Sequence, residues 1–538
     1  MIGTTTTRDK SDSLSLNHSR YQRDNDLKAV RSRSVPKVFV PERTHGKPCG
    51  KSYISKDKNC KLQSSTLSLP DSIELQKHQL RVAETLRKQR GVIAYHGLGS
   101  GKTLTGINVA EEYGGATVVV PAALRENFKK ELDKAEAKGQ YDIYSFEEFS
   151  KKKPSLDGKL LIVDEAHRLK NSATKKTQAL LDAGKGAEKV LLLTGTPIQN
   201  KPHEIAPLIN LVTGENTLPL SESTFNAKYL DKVTTKPNWF ETIFQQAPII
   251  KVNQPKNLED YYNKTSKYID YYVPTQEGFP TVTEHTVEVP MSKQQELLYK
   301  SWQEKLPPHL QYKIKNSLPP DVKDKKDLNV FINASRQTAN SGRRFNGDTE
   351  PSPKVKEVVK RIKNTRGQSL VYSNYIKSGI DGITEELDKN KVKYAVFTGA
   401  IKDKERKKMV EDYNQGKVKV LIVSSAGGEG LDLKGTRQVH ILEPHWNEAK
   451  IQQVVGRAAR YKSHAHLPPE KQNVNVYKYI STFSDKNSWF GTKELTVDEY
   501  LTSMGRQKQD INSKFTERWK KDSLNYKLSF FDNYIKFV

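Results

Sequence analysis

Short runs of β-branched and aliphatic residues recur along the chain, each followed by a longer stretch at helical spacing. GVIAYHG (91–97), ATVVVP (116–121), LLIVDE (160–165) and KVLLLTG (189–195) form one series. QSLVYSN (368–374), VKYAVFTG (392–399), KVKVLIVSS (417–425), RQVHILEP (437–444) and VNVYKYIS (474–481) form a second. Continuous apolar runs of this length, separated by helix-period segments, predict buried parallel strands in α/β domains. The chain therefore divides into an α/β domain over 71–255, an irregular or helical connecting insertion over 256–350, a second α/β domain over 351–482 and a helical segment over 483–538. In the last of these, Thr496-Val-Asp-Glu499 fits a capping box. Val497, Tyr500, Leu501, Met504, Ile511, Phe515 and Trp519 then follow near-helical spacing, which predicts a stripe packed on the body.

Residues 1–70 show no such pattern. They hold 14 basic and 6 acidic residues with 11 serines and 6 threonines. A stretch of that composition buries too little to offset chain entropy and reads as a disordered basic tail. The whole chain of 538 residues carries 89 Lys and Arg against 63 Asp and Glu, a net charge of +26. The tail supplies only part of that excess, so the body is basic in its own right and calls for a polyanionic partner, most commonly nucleic acid. No apolar run approaches the roughly 18 residues of a membrane span, and the N-terminus lacks the apolar core of a secretory signal. The expectation is an intracellular protein, neither secreted nor bound to a membrane. The two cysteines, Cys49 and Cys60, exclude a disulfide scaffold and suit a reducing compartment.

Candidate chemistry sits at strand ends. Val92–Tyr95 runs into His96-Gly97-Leu98-Gly99-Ser100-Gly101-Lys102-Thr103 and then a helical stretch, the context a phosphate-binding loop requires. Glycines there let backbone N–H groups close on phosphate oxygens at a helix N-terminus. Lys102 would reach the β- and γ-phosphates of ATP and the Thr103 hydroxyl would ligate Mg²⁺. The strict GxxxxGK[ST] pattern fails at His96, and a bare Gly-Lys-Thr triplet also suits a plain turn; the flanking strand and helix select the phosphate reading. The run Leu160–Val163 ends in Asp164 and Glu165, placing two carboxylates at a strand's C-terminal edge, where α/β ligands bind. Asp164 would hold the metal and Glu165 would polarise the attacking water. Thr194 and Thr196 end the next strand and could sense the γ-phosphate. In the second domain Arg457 and Arg460, three apart on an expected helix, share one face. They suit arginines that complete a site when two domains close.

These segments resemble, in order, the motifs of superfamily-2 helicases: 96–103, VVVPAALRENFKKEL (118–132), DEAHRLKN (164–171), TGTPIQN (194–200), SSAGGEGLDL (424–433) and QVVGRAAR (453–460). DEAHRLKN followed by TGTPIQN, and EPHWNEAKIQQ (443–453), are similar to the Swi/Snf-type ATPases. YYVPTQEGFPTVTEHTVEVPMSKQQELLY (271–299), GRAARYKSHAHLPPEKQNVNVYKYIS (456–481) and TVDEYLTSMGRQKQ (496–509) look like the nucleoside triphosphate phosphohydrolase I and early-transcription-factor ATPases of poxviruses and other large DNA viruses. His96 for glycine, and Ala459 where many superfamily-2 enzymes have glycine, are departures that remove no phosphate or metal ligand.

The resemblance implies two tandem RecA-like parallel-sheet domains with helical insertions, and ATP and Mg²⁺ in the cleft between them. It implies that Gln79 reads adenine and that His167, Thr194, Thr196, Gly430, Asp432 and Gln453 couple ATP to nucleic acid. It places Arg125, Lys129, Lys130, Thr398, Lys402 and Lys404 on the nucleic-acid face. The implied activity is DNA-dependent ATP hydrolysis with translocation on DNA, in viral transcription beside an RNA polymerase or transcription complex. The virion or host-cell cytoplasm is the implied location. A strand-separating DNA or RNA helicase, and an ATP-switched initiation-factor subunit, are the alternatives.

Overall fold

The computed structural model describes residues 47–49, 52–54, 69–70, 72–235, 250–273, 277–321, 323–341, 351–399, 401, 403–424, 431–445, 448–484 and 494–535. The chain separates into two compact units, 1–64 and 65–538. In the first, β1 (Lys47–Cys49) and β2 (Ser52–Ile54) pair antiparallel. Tyr53 and Ile54 are good strand formers that the composition of a seventy-residue window conceals. Of the expected disordered tail, Leu69 and Pro70 are also described, with Leu69 packed on a core of the second unit; the remainder lies outside the described residues.

The second unit holds two six-stranded sheets. The first consists of β3 (Gly91–His96), β4 (Gly115–Val120), β5 (Gln140–Ser145), β6 (Leu160–Asp164), β7 (Lys189–Thr194) and, after the antiparallel pair β8 (Leu230–Thr235) and β9 (Ile250–Pro255), β10 (Ile269–Tyr272). Its order is β10-β3-β7-β6-β4-β5, with every pair parallel. The second consists of β11 (Thr281–Pro290), β12 (Gln368–Ser373), β13 (Tyr394–Phe397), β14 (Val420–Ser424), β15 (Thr436–Ile441) and β16 (Asn473–Thr482). Its order is β11-β16-β15-β12-β14-β13, again all parallel. These are the two tandem RecA-like parallel-sheet lobes that the motifs imply. β4, β6 and β14 are buried along their whole length, which is why their sequences read as unbroken apolar runs.

The order of the first sheet sets the site. β3, β7 and β6 are neighbours, so the glycine loop after β3, Thr194 at the end of β7 and Asp164 at the end of β6 emerge side by side at one edge. Residues 256–350, read from sequence as a connecting insertion, contribute a strand to each sheet. β10 pairs with β3 in the first, and β11 runs beside all ten residues of β16 in the second. Both are edge strands, one four residues long and the other mostly exposed, so neither shows a buried-strand pattern. β5 escaped the sequence reading for the same reason. Helices Leu258–Thr265, Lys293–Gln303, Pro308–Lys315 and Lys325–Asn340 make up most of the segment's other described residues.

The C-terminal helix Val497–Ile535 packs against both lobes. The capping box forms: Glu499 N–H donates to Thr496 Oγ1 at 3.3 Å and Thr496 N–H to Glu499 Oε2 at 2.9 Å. Val497, Tyr500, Leu501 and Met504 join Tyr299, Leu310 and Phe331 of the helical segment. Asp498 pairs with Lys354, the first turn of helix Pro353–Asn364, at 2.8 Å with both side chains buried. Further along the same helix, Phe515 and Trp519 enter the core of the first lobe with Phe225, Tyr229 and Tyr261. Trp519 Nε1–H donates to Thr265 Oγ1 at 3.0 Å, and its ring stacks on Tyr261. Removing a buried indole leaves a cavity and a lost hydrogen bond, so Trp519→Ala should lower unfolding stability by about 3–5 kcal/mol. A urea midpoint unchanged from wild type would contradict this placement.

Candidate nucleotide site

The glycine loop leaves β3 and enters helix Lys102–Glu112 through Gly101, which caps the helix in the left-handed region at φ 72°. Gly99 is also left-handed, at φ 74°. Only glycine takes these turns at low cost. Lys102 sits at the mouth of that hollow, its Nζ donating at 3.1 Å to the carbonyls of both His96 and Gly97. Desolvation holds Lys102 below its ordinary pKa, opposed by the Glu165 and Asp164 carboxylates. Thr103 follows in the first helical turn and lines the same cleft.

Beneath the loop lies a charge network that the motifs do not announce. Asp270 of β10 accepts from Arg81 Nε at 2.5 Å, from Arg81 Nη2 at 2.7 Å and from His96 Nε2 at 2.7 Å. Burial would raise Asp270, but the hydrogen bonds from Arg81 and His96 bring it below the usual carboxylate value. Burial lowers His96 in spite of this partner. The ring is thus neutral with its proton on Nε2, and Nδ1 is buried without a hydrogen bond. The His96 side chain therefore faces away from the phosphate hollow; its backbone carbonyl, held by Lys102, is what it gives to the loop. His78 bonds Ser100 O at 2.8 Å and stacks on Tyr272 at 3.6 Å between centroids. Gln79 is buried and donates through Nε2 to Gly101 O at 3.2 Å, so it rests directly on the loop. One clue to the network is readable: a lone acid in the aromatic strand Ile269–Tyr272 has to find a cation.

Asp164 is 8% exposed at the end of β6 and accepts from Glu165 N–H at 2.8 Å. Glu165 turns through a left-handed backbone, φ 51°, which throws its side chain off the strand axis. Burial, reinforced by the adjoining Glu165 carboxylate, pushes Asp164 up to about 7, with Lys102 opposing. His167 Nδ1 lies 3.3 Å from Glu165 Oε2 and 3.2 Å from Thr194 Oγ1, so one ring touches the acid pair and the end of β7. Burial lowers His167 and keeps that ring neutral. Thr196 N–H donates to Thr194 Oγ1 at 3.2 Å.

A cleft of about 700 Å³ joins these groups to the second lobe. Gly99, Gly101, Lys102, Thr103, Asp164, Glu165 and Thr196 line one wall, and Asp432, Gln453, Arg457 and Arg460 the other. The helix carrying Gln453 ends at Ala458, so Arg457 and Arg460 do not share a helical face as expected. The chain turns instead, Arg460 N–H donating to Ser463 Oγ at 3.1 Å, and the turn brings both arginines to the cleft. Arg460 Nη1 stands 3.5 Å from Asp432 Oδ1. A second hollow of about 590 Å³ shares Glu165, Gln453 and Arg457 and runs on past His167, Lys170, Asn200 and Lys450.

The basic positions ascribed to nucleic acid are more dispersed. Arg125 is tied to Glu148 at 2.5 Å and Lys129 to Glu126 at 3.0 Å, both within the first lobe, while Lys130 is exposed on the same helix. Thr398 follows β13 and its carbonyl accepts from Arg406 at 3.5 Å, with Lys404 exposed on the next helix. Lys402 and Gly430 lie outside the described residues. Leu124, Asn127, Phe128 and Glu131, within the 118–132 motif but not singled out as site residues, also line the nucleotide cleft.

The donor set suits Mg²⁺. Among the described residues no three His, Cys, Asp or Glu side chains form a cage. Mg²⁺ needs none: one carboxylate and one hydroxyl, here Asp164 and Thr103, leave its remaining positions to phosphate oxygens and water. Metal binding takes the ionised carboxylate. The unfolded chain releases the Asp164 proton near 3.8 and the folded chain near 7. Between those values the folded state holds the extra proton, so this group's contribution to stability falls as pH rises, and cation binding expels the proton. Affinity for Mg·nucleotide should rise up to about tenfold from pH 6 to pH 8. Calorimetry in buffers of differing ionisation enthalpy should show proton release at pH 6 that Asp164→Asn abolishes; equal heats in all buffers would contradict it.

Residues 140–344 match the SNF2-related domain, and residues 353–462 match the helicase conserved C-terminal domain. A putative ATP-dependent RNA helicase of Acanthamoeba polyphaga mimivirus is 33% identical, over 83% of this chain and 97% of its own length. A termination factor NPH-I homolog of African swine fever virus is 28% identical, over 81% of this chain and 76% of its own. Among solved structures, the Sulfolobus solfataricus SWI2/SNF2 ATPase core in complex with dsDNA aligns at 18% identity and a TM-score of 0.32, over 78% of this chain and 89% of that one.

Proposed function

This chain belongs to the Swi/Snf-like superfamily-2 helicases and ATPases, with termination-factor-type relatives in large DNA viruses, and from that premise we propose that it couples ATP hydrolysis to translocation along DNA during viral transcription. That it is an ATP-hydrolysing enzyme follows from the family. The observation that carries the finer reading is the single cleft in which Lys102, Thr103, Asp164 and Glu165 of one lobe face Arg457 and Arg460 of the other.

The residues divide the work as follows. Lys102 exchanges the carbonyls of His96 and Gly97 for the β- and γ-phosphate oxygens of ATP. Gln79, braced against Gly101, is placed to read the adenine edge. Asp164 and Thr103 would hold Mg²⁺, which neutralises charge on the phosphates when bound. Glu165 accepts a hydrogen bond from the attacking water and orients it in line. Arg457 and Arg460 supply positive charge where negative charge develops on the transferring group, and only a closed cleft brings them there. Loss of the γ-phosphate removes that attraction and lets the lobes part. His167, in contact with both Glu165 and Thr194, carries the change from the acid pair to the end of β7 and toward the second hollow.

Alternate closing and opening moves one lobe relative to the other along a strand. Grip comes from sequence-independent contacts to the phosphate backbone, which the net charge of +26 favours and salt weakens. DNA is the favoured track because the motifs are those of the Swi/Snf-type ATPases and one relative is a termination factor homolog. An RNA polymerase or transcription complex is the natural partner of such a motor, and the virion or host-cell cytoplasm its place.

ATPase rates measured in parallel with duplex DNA, single-stranded DNA and RNA test the reading. Duplex or single-stranded DNA should stimulate hydrolysis by tenfold or more; stimulation by RNA alone would favour an RNA helicase, in keeping with the name of the mimivirus relative. Lys102→Ala should cut the stimulated rate on the order of 10²-fold or more. Glu165→Gln should hydrolyse poorly yet still bind ATP and DNA. Loss of ATP binding in Glu165→Gln would make that residue structural.

A further inference from the structure

Three glycines near the nucleotide cleft each face a large side chain from a different part of the chain. A Cβ built on Gly456, in the helix that carries Arg457, would stand 2.2 Å from Leu98 Cδ1 at the tip of the glycine loop. One built on Gly99, in the loop itself, would stand 2.6 Å from the ring of Phe279 in the segment between β10 and β11. One built on Gly278 in that segment would stand 2.5 Å from the ring of Tyr461, the residue after Arg460. The contacts form a closed cycle. The loop inserts Leu98 into the second lobe, the second lobe inserts Tyr461 into the connecting segment, and the connecting segment inserts Phe279 into the loop.

Further observations tighten the cycle. The rings of Phe279 and Tyr461 lie 5.6 Å apart. Lys462 N–H donates to Gly278 O at 2.7 Å, so backbone as well as side chains join the connecting segment to the second lobe. Gly99 and Gly278 are both left-handed, at φ 74° and 76°, so a side chain there would be strained as well as crowded. Leu98 and Tyr461 are 41% and 47% exposed, large apolar groups that a solvent-facing role does not call for. Arg457 and Arg460 lie between two members of the cycle, 456 and 461.

We propose that Leu98, Phe279 and Tyr461 are positioning residues: by seating on Gly456, Gly99 and Gly278 they fix the height of Arg457 and Arg460 over the glycine loop, so that the arginines register with ATP only when all three seats are filled. This rests on the ATPase reading and adds to it a mechanical requirement. The glycine loop binds nucleotide and also serves as the surface on which the second lobe docks. Disturbing a seat from the second lobe, at Gly456 or Tyr461, should therefore slow turnover more than it loosens nucleotide, because Lys102, Thr103 and Asp164 belong to the first lobe even though Gly456 and Tyr461 both line the cleft.

The test is a wedge and its relief. Gly456→Val places branched atoms where Leu98 sits, at a helical position where valine folds as well as glycine. Its kcat for DNA-stimulated hydrolysis should fall at least tenfold, while the affinity for a fluorescent ATP analogue changes less than about threefold. Leu98→Ala in the same chain removes the obstructing atoms; the nearest that remains, Leu98 Cβ, is 3.7 Å from the built position, an ordinary contact. In the double variant the valine fills the seat that Leu98 vacates, so its kcat should exceed that of Gly456→Val at least threefold, whereas Leu98→Ala alone, with its seat empty, should be slow like Tyr461→Ala. General destabilisation would add the two losses and give no recovery. Tyr461→Ala, an exposed truncation that leaves folding intact, should show the same split, low kcat with near-normal affinity. A Gly456→Val enzyme of wild-type kcat, a double variant no faster than Gly456→Val, or a Tyr461→Ala defect confined to nucleotide affinity would each overturn the proposal. Wild type and Lys102→Ala are run alongside. Hydrolysis by wild type and none by Lys102→Ala leaves the ATPase reading standing whatever the seats do, whereas no hydrolysis by wild type removes both.

Discussion

Asp270 carries a negative charge where water scarcely reaches, and the first lobe is arranged around satisfying it. Arg81 comes from the helix before the glycine loop, His96 from the strand that feeds the loop, and Asp270 from an edge strand far along the chain. A buried carboxylate stripped of such partners costs about 3–5 kcal/mol, a large part of a domain's total stability. Their positions are therefore tightly held: Asp270 lies opposite Ala94 and Tyr272 opposite His96 in parallel register, and Gly97 N–H donates to Tyr272 O at 2.8 Å. The glycine loop thus rests on a base held by a buried ion pair and by strand pairing.

On that base the two lobes divide the site unequally. The first supplies the lysine, the hydroxyl and both carboxylates; the second supplies arginines. On the proposed reading neither half is chemically complete alone, and hydrolysis depends on closure. Two physical links span the lobes within the described residues. One is the contact cycle at the loop tip. The other is the helix Val497–Ile535, whose first turns bury Asp498 against Lys354 and whose later turns bury Phe515 and Trp519 in the core of the first lobe. The helix is packed against both lobes, and the loop tip touches the second lobe directly.

The sequence made much of this legible, for a reason that also explains what it hid. Strands buried on both faces, β4, β6, β7 and β14, appear as unbroken apolar runs because every position is in a core. Strand-end motifs appear because phosphate and metal chemistry demands particular side chains at fixed spacing: Lys102 and Thr103, Asp164 and Glu165. Edge strands β5, β10 and β11 did not appear, since half of each faces solvent or a charged neighbour. The Arg81–Asp270–His96 network was invisible because its members are 15 and 174 residues apart in sequence and nothing in their local context joins them. His96 itself looked like a flaw in the phosphate motif and is a structural anchor. Arg457 and Arg460 were found by type and spacing, yet their common helical face was not there; a turn at Ala458 does what a helix was expected to do. The C-terminal stripe was read only as packing, because amphipathic spacing shows that a face is buried and not what buries it.

The central claim is that one ATP site is built by two lobes and works only when the second lobe's arginines meet the first lobe's phosphate loop. Single-turnover hydrolysis by Arg460→Ala, measured together with its equilibrium affinity for ATP, tests this most directly. The account predicts a rate lower by on the order of 10³-fold with affinity changed only a few-fold, because an arginine of this kind acts on charge in the transition state. Hydrolysis at the wild-type rate, or a loss carried entirely by weaker ATP binding, would contradict it.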